Sequence, residues 1–181
     1  MTPLKPTYRP ASAENWQDLE ELFESRGGPH HCWCMVWRHM QEGTDRRNKA
    51  DKKASLKKYV DREIPIGLLC YIDDRPIAWC SIAPRRHYRN LQHKEDLQQD
   101  VWSLVCFFIR REFRGQGISR LLTEAALAYA KSQGAKYVEA YPVDPSSPSH
   151  RFMGFKPTFD KLGFACKGQA GQRRYVMLKK L

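Results

Sequence analysis

Residues 110–119 read RREFRGQGIS, with Gly115 and Gly117 set between a run of large apolar residues (101–109, VWSLVCFFI) and an amphipathic stretch that begins at Ile118. Glycine has no Cβ, so a backbone carrying two of them turns tightly and lets a bulky ligand approach its N–H groups. A strand handing over to a helix at this point leaves the first-turn N–H groups without intrahelical partners, at the positive end of the macrodipole. Such an end binds phosphates, and Arg114 and Arg120 flank it with charge for a pyrophosphate. A plain tight turn with solvated arginines is the other reading of the same string. Two further phosphate loops are excluded: the third glycine of G-x-G-x-x-G is missing, and no G-x-x-x-x-G-K-[ST] string occurs.

Beyond the glycines, Ile118, Leu121, Leu122, Ala125 and Tyr129 recur at helical spacing, and Gly134 stops the helix. The pattern then predicts a strand at AKYVEAYPV (135–143), an irregular SPSHRFMGF (147–155), a short helix at PTFDKL (157–162) and a last strand at RRYVMLKKL (173–181). Upstream, IGLLCYID (66–73) and RPIAWCSIAP (75–84) read as strands joined at Asp73-Asp74, followed by a polar insertion at 85–100. The chain opens with a short strand at YRPAS (8–12) and a helix over 12–28 with Ser12 as its N-cap. HHCWCMVWRHM (30–40) reads as a helix with Trp33, Val36, Trp37 and Met40 on one face. A very basic helix follows over 48–63, with Leu56, Tyr59 and Val60 inward. The expected fold is α/β, a mixed central sheet flanked by helices in a single domain over 1–181.

The 41% of hydrophobic residues suffices for a core, yet no apolar run approaches the ~20 residues that span a bilayer, so no membrane partner is expected. The first ten residues lack the features of a signal peptide, and six cysteines lie mostly inside apolar runs as free thiols, so a cytoplasmic location is expected. The net charge of +11 favours anionic partners: nucleotide cofactors, acidic substrates, RNA or a membrane surface.

The segment from 101 to 143, with FDKLGF (159–164) after it, resembles the GNAT superfamily of N-acetyltransferases, whose acetyl-CoA motif R/Q-x-x-G-x-G/A corresponds to Arg114, Gly117 and Ser119. HCWCMVWR (31–38) with the 101–109 strand is similar to a bacterial subgroup of that superfamily. The resemblance implies that the backbone of Phe107, Phe108 and Ile109 pairs with the pantetheine arm of acetyl-CoA and supplies an oxyanion donor. It implies also that the amides of Gly115, Gln116, Gly117, Ile118 and Ser119, beside Arg114 and Arg120, hold the pyrophosphate. The activity implied is transfer of an acetyl group to an acceptor amine by direct attack on the thioester.

Two positions depart from the family's pattern. Phe159 stands where many members carry a tyrosine acid, and Ser103 where some carry a glutamate base. Strand alternation puts Glu139 and Tyr141 on one face, so the proton-handling candidates are Glu139, Tyr141 and Ser103, with His150 and Asp144 behind them. Cys106 has no neighbouring base or cation in its sequence and reads as core. His30, His31, Cys32 and Cys34 lack the second ligand pair of a structural zinc site, so no metal is expected. Trp33 and Trp37 are candidates to line the acceptor side, as the family's early helical region does. The alternative function is a basic nucleic-acid-binding module built on 46–59 and 85–94, with Tyr88 stacking on a base. The acceptor, a small molecule or a peptide amine, and the choice between monomer and homodimer stay open.

Overall fold

The structure, a computed structural model, describes residues 5–89, 91 and 100–181. Seven strands are built from the β-branched and aromatic runs: β1 (Thr7–Pro10), β2 (Leu68–Ile72), β3 (Arg75–Pro84), β4 (Val101–Ile109), β5 (Tyr137–Ala140), β6 (Ala165–Ala170) and β7 (Arg174–Lys180). They form one mixed sheet in the order β1-β2-β3-β4-β5-β7-β6, antiparallel except for β4 against β5. The helices are α1 (Trp16–Glu24), α2 (Lys49–Asp61), α3 (Ile118–Ser132) and α4 (Lys156–Lys161).

Each face of the sheet has its own core. Ile118, Leu122, Ala126 and Ala130 follow one stripe of α3 and meet Ile82, Leu104 and Val138. On the opposite face Leu19, Leu22 and Phe23 of α1 and Leu56 and Val60 of α2 meet Trp79 and Val105. Full burial of each Leu or Phe here contributes about 1.5–3 kcal/mol, and truncating fully buried Leu122 to Ala costs about 2–5 kcal/mol. Asn48 starts α2, its side chain accepting from the N–H groups of Ala50 and Asp51 at 2.8 and 3.4 Å.

The expected helix over 30–40 is replaced by consecutive turns. Trp33 and Cys34 take left-handed φ values of 46° and 50°, and this turns the Cys34 thiol inward, 3.3 Å from the Cys106 sulfur and 3.2 Å from the Trp79 indole N–H that donates to it. Tertiary contacts outweigh helical periodicity there, and Val36 is left 43% exposed instead of inward. Ser12 caps a 3-10 turn over Ala13–Asn15 and α1 proper begins at Trp16. β6 is an edge strand of small and polar residues, exposed along most of its length. Of the polar insertion, residues 90 and 92–99 lie outside the described residues.

Candidate active site

β4 and β5 pair only from Val101–Leu104 against Tyr137–Ala140, after which β4 runs on alone to Ile109. The Arg110 N–H reaches Ile77 O on β3 at 2.9 Å. By strand alternation Phe108 also faces β3, and Phe107 and Ile109 aim their N–H and C=O groups at the side β5 has left. The gap opens into a cleft of about 640 Å³ walled by Phe107–Ile109, the glycine turn and Arg151, Phe152 and Phe155, a size that suits a small-molecule site. Gly154 forms part of its floor at φ 87°, where a Cβ would come within 2.8 Å of the Phe159 ring. Phe159 itself is buried beneath, against Phe107 and Phe164.

Gly117 is the N-cap of α3 in the left-handed conformation, φ 77° and ψ 5°, with Gly115 at φ 76° just before it. The bend this makes leaves five successive main-chain N–H groups, Gly115 to Ser119, without an acceptor among the described residues; the first closed bonds are Arg120 and Leu121 N–H to Gly117 O. Five free donors at the positive end of a fifteen-residue helix are an arrangement chemically suited to an anion. Arg114 lines the cleft, steadied by its Nε bond to Ile109 O at 2.9 Å. Arg120 is instead paired with Glu124 at 2.7 Å, and the Gln116 side chain donates to Glu112 O, so neither side chain forms part of the cleft wall. Thr123 and Thr158 join the wall, which periodicity alone does not single out.

On the sheet face away from α3, Ser103, Glu139 and Tyr141 come together. Ser103 pairs in register with Glu139, and its Oγ donates to Glu139 Oε1 at 2.5 Å. Arg85 closes the group from the end of β3, its Nη2 lying 2.8 Å from Glu139 Oε2. Nothing in the local sequence marks Arg85, which tertiary packing delivers. Burial, and then the Glu139 carboxylate, push the Tyr141 phenol well above its usual range, so it stays protonated. The cluster is buried and is not part of the cleft wall. Tyr141, one residue past the last β4–β5 pair, is its nearest member to the opening, and Ser103 sits about 13 Å down β4 from Phe107.

Trp33 is fully buried among Trp16 and Phe23, with the Lys53 ammonium 5.0 Å over its ring. It is therefore a core residue and not an acceptor-lining one. Trp37 is only partly buried and faces Arg174 and His150. Tyr88 does not stack outward for a base; it is buried under Arg38, whose guanidinium lies 4.4 Å over its ring. On the basic helix, Lys53 pairs with Glu20 and Glu24, Lys57 with Asp61, and Lys52 donates to His31 O, which ties up much of the charge expected to form a nucleic-acid surface. The rings of His30 and His31 lie 4.0 Å apart, and no group of three or more His, Cys, Asp or Glu converges for a metal among the described residues. The Cys34 thiol is pushed far up by its bond to Cys106 and by burial, the reverse of what a nucleophilic thiolate needs. Asp144 is taken up by an exposed turn, accepting from Ser146.

Residues 10–155 match the acetyltransferase (GNAT) family. No curated protein matches the sequence significantly. Among solved structures, the PaiA N-acetyltransferase of Thermoplasma acidophilum, in complex with coenzyme A, aligns with a TM-score of 0.60 at 16% identity, over 98% of this chain and 100% of that one. An acetyltransferase of Thermus thermophilus aligns at 0.59 and 16%, over the full length of both chains. AAC(6')-Ib in complex with paromomycin and acetyl-CoA aligns at 0.63 and 14%, over 97% and 93%. At these identities the likeness is one of fold.

Proposed function

We propose, from the premise that this chain belongs to the GNAT acetyltransferase family, that it is an acyltransferase moving the acetyl group of acetyl-CoA to an acceptor amine by direct attack. The observation that carries this reading is the row of five unpartnered amides at Gly115–Ser119, opening on the same cleft as the unpaired edge of β4. The donors present fit the cosubstrate. Amides of Gly115–Ser119, with Arg114 beside them, would hold its diphosphate, and the free edge at Phe107 and Ile109 would hold its extended arm in β fashion.

Bound acetyl-CoA supplies an activated thioester carbonyl; the remaining work falls to the chain. Of the two free-edge donors, the Phe107 N–H, the one farther from the diphosphate cradle, would stabilise negative charge developing on a carbonyl oxygen, a role for which one lost donor costs about 10²–10³ in turnover. Glu139, reached from the cleft past Tyr141 through water, takes the proton that the attacking amine sheds, and the Ser103 hydroxyl orients its carboxylate. Tyr141, held protonated by its surroundings, donates at the departing sulfur. Arg85 and Ser103 fix both carboxylate oxygens of Glu139. Trp37 stays as the aromatic wall on the acceptor side, and the acceptor is a small-molecule or peptide amine. The whole of 1–181 acts as one catalytic domain.

Thermal melting tests the reading. A ligand at 100 times its Kd adds about 2.7 kcal/mol, which for a chain of this size is a rise of roughly 5–10 °C. Acetyl-CoA and CoA should both raise Tm in step with concentration, and no shift at millimolar ligand overturns the assignment. Release of CoA thiol across a panel of amines then identifies the acceptor class.

A further inference from the structure

Arg174 opens β7 and is 6% exposed, yet no carboxylate partners it among the described residues and its Nη1 is buried without an acceptor. Its guanidinium lies 4.5 Å over the Trp37 ring and 5.8 Å from the Tyr141 ring. The indole N–H of Trp37 is likewise buried and unpartnered. Two orphaned donors therefore meet at one spot, beside the tyrosine placed above as the proton donor. A buried cation with no counter-charge is a costly arrangement for a fold to keep.

Arg38, the other buried arginine without an acid among the described residues, also leaves its Nε and Nη1 unpartnered but is anchored through its third nitrogen. Its Nη2 is engaged by Ile66 O, Ser81 Oγ and Tyr88 Oη at 2.8–3.1 Å, which ties together the segments that carry them. Arg174 packs on the Trp37 and Tyr141 rings but has no such hydrogen-bonded anchor. Among the described residues its side chain finds no hydrogen-bond acceptor, and its surroundings are more cationic still, since Arg173 donates to Ser149 Oγ beside His150.

The spot is next to the cofactor cleft. Phe152, on the cleft wall, lies 6.1 Å from the His150 ring, and that ring stacks on Trp37 at 6.3 Å. Val143 bridges Phe155 of the cleft wall on one side and Arg174 on the other. The guanidinium is thus separated from the cleft wall by a single layer of side chains, Val143 on one side and His150 with Trp37 on the other.

We propose that the acceptor amine also carries an oxyanion group, a carboxylate or a phosphate, and that Arg174, braced between Trp37 and Tyr141, is the residue that receives it. The planar fork of a guanidinium matches either oxyanion with two parallel N–H bonds, and the Trp37 N–H supplies a third donor. The inference rests on the acetyl-transfer reading of the neighbouring cleft. It selects against polyamines and aminoglycosides, whose positive charge is repelled there.

The test compares matched acceptors by CoA release: amino acids against their amides, and aminoalkylphosphonates against simple alkylamines. The oxyanion-bearing member should win by tenfold or more in kcat/KM, and the carboxylate and phosphonate arms tell the two sources apart. Arg174→Met should raise KM for that acceptor by about 30-fold or more, the loss typical of removing one partner of a buried charged pair, with little change in kcat. Arg174→Lys should recover part. A readout free of turnover accompanies it: in CoA-saturated protein at constant ionic strength, phosphate or acetate should raise Tm relative to chloride more in the wild type than in Arg174→Met, where only the general stabilisation by these excluded anions is left. Preference for neutral or cationic amines, an unchanged acceptor ratio in Arg174→Met, or an equal anion-dependent rise in CoA-saturated wild type and Arg174→Met overturns the proposal. Loss of the acetyl-CoA thermal shift itself overturns the underlying reading instead.

Discussion

Gly117→Ala isolates the part played by the bend ahead of α3. A Cβ built at this position meets nothing within 4 Å, so the substitution creates no clash and its cost is the left-handed φ of 77° alone. That conformation costs a non-glycine residue about 1–2 kcal/mol, offset in part by the roughly 0.4–1 kcal/mol that alanine gains by restricting the unfolded chain. The net loss of about 1 kcal/mol lowers Tm by roughly 2–4 °C. Relief of that strain would rotate the amides of Gly117 and Ile118 out of the cradle, and a hydrogen bond to a charged group is worth about 1.5–3 kcal/mol. One lost bond weakens CoA by about 10–100-fold in Kd. Calorimetric titration with CoA, run beside thermal melting, separates the two effects. Gly117→Asn is the control, because asparagine visits the left-handed region more readily, and it should lose less stability than alanine. Wild-type CoA affinity in Gly117→Ala, or asparagine and alanine equally destabilising, would refute the reasoning.

Glu139→Gln and Tyr141→Phe should each lower kcat by about 10²-fold or more, the usual worth of positioned acid–base groups, while the Kd for acetyl-CoA stays within a few-fold; wild-type turnover removes them from the mechanism. Arg85→Met should destabilise the fold by about 3 kcal/mol, since it leaves fully buried Glu139 without its charge partner, and denaturant melting measures this. Gly154→Ala should cost about 1–3 kcal/mol, because both the φ of 87° and the 2.8 Å approach to Phe159 oppose a methyl group. Alkaline stability supplies a pH test. Burial raises Tyr8 and Tyr88 to about 12 and Tyr141 beyond that. The unfolded chain loses these protons near pH 10 and the folded one does not, so the stabilisation is full below pH 10 and declines above it. Denaturant melts from pH 9 to 11 should show that decline, and it should be shallower in Tyr141→Phe.

The glycine bend and α3 were legible because local rules decide them: two residues without Cβ, an apolar stripe at helical spacing and a terminating Gly134. The convergence of Ser103, Glu139 and Tyr141 followed from strand alternation together with the adjacency of two parallel strands. Arg85 and Arg174 escaped notice because each is an ordinary arginine in its own sequence neighbourhood. Only the end of β3 and the start of β7 bring them to Glu139 and Trp37. The segment 30–40 misled for a related reason. Its spacing of tryptophans mimics a helical face, whereas the chain bends at Trp33 and Cys34 so that two large rings point to different places, one into the core and one toward Arg174. β6 was silent because an exposed edge strand needs little apolar character to hold its register against β7.

The fork between β4 and β5 has a thermodynamic corollary. At Phe107, and at the N–H of Ile109, the resting protein holds main-chain groups that an ordinary sheet interior would already have bonded, so a ligand arm lying along them would act as a missing eighth strand. Loading should therefore slow amide hydrogen exchange at these two positions much more than at Trp102 or Leu104, whose neighbours are already in place.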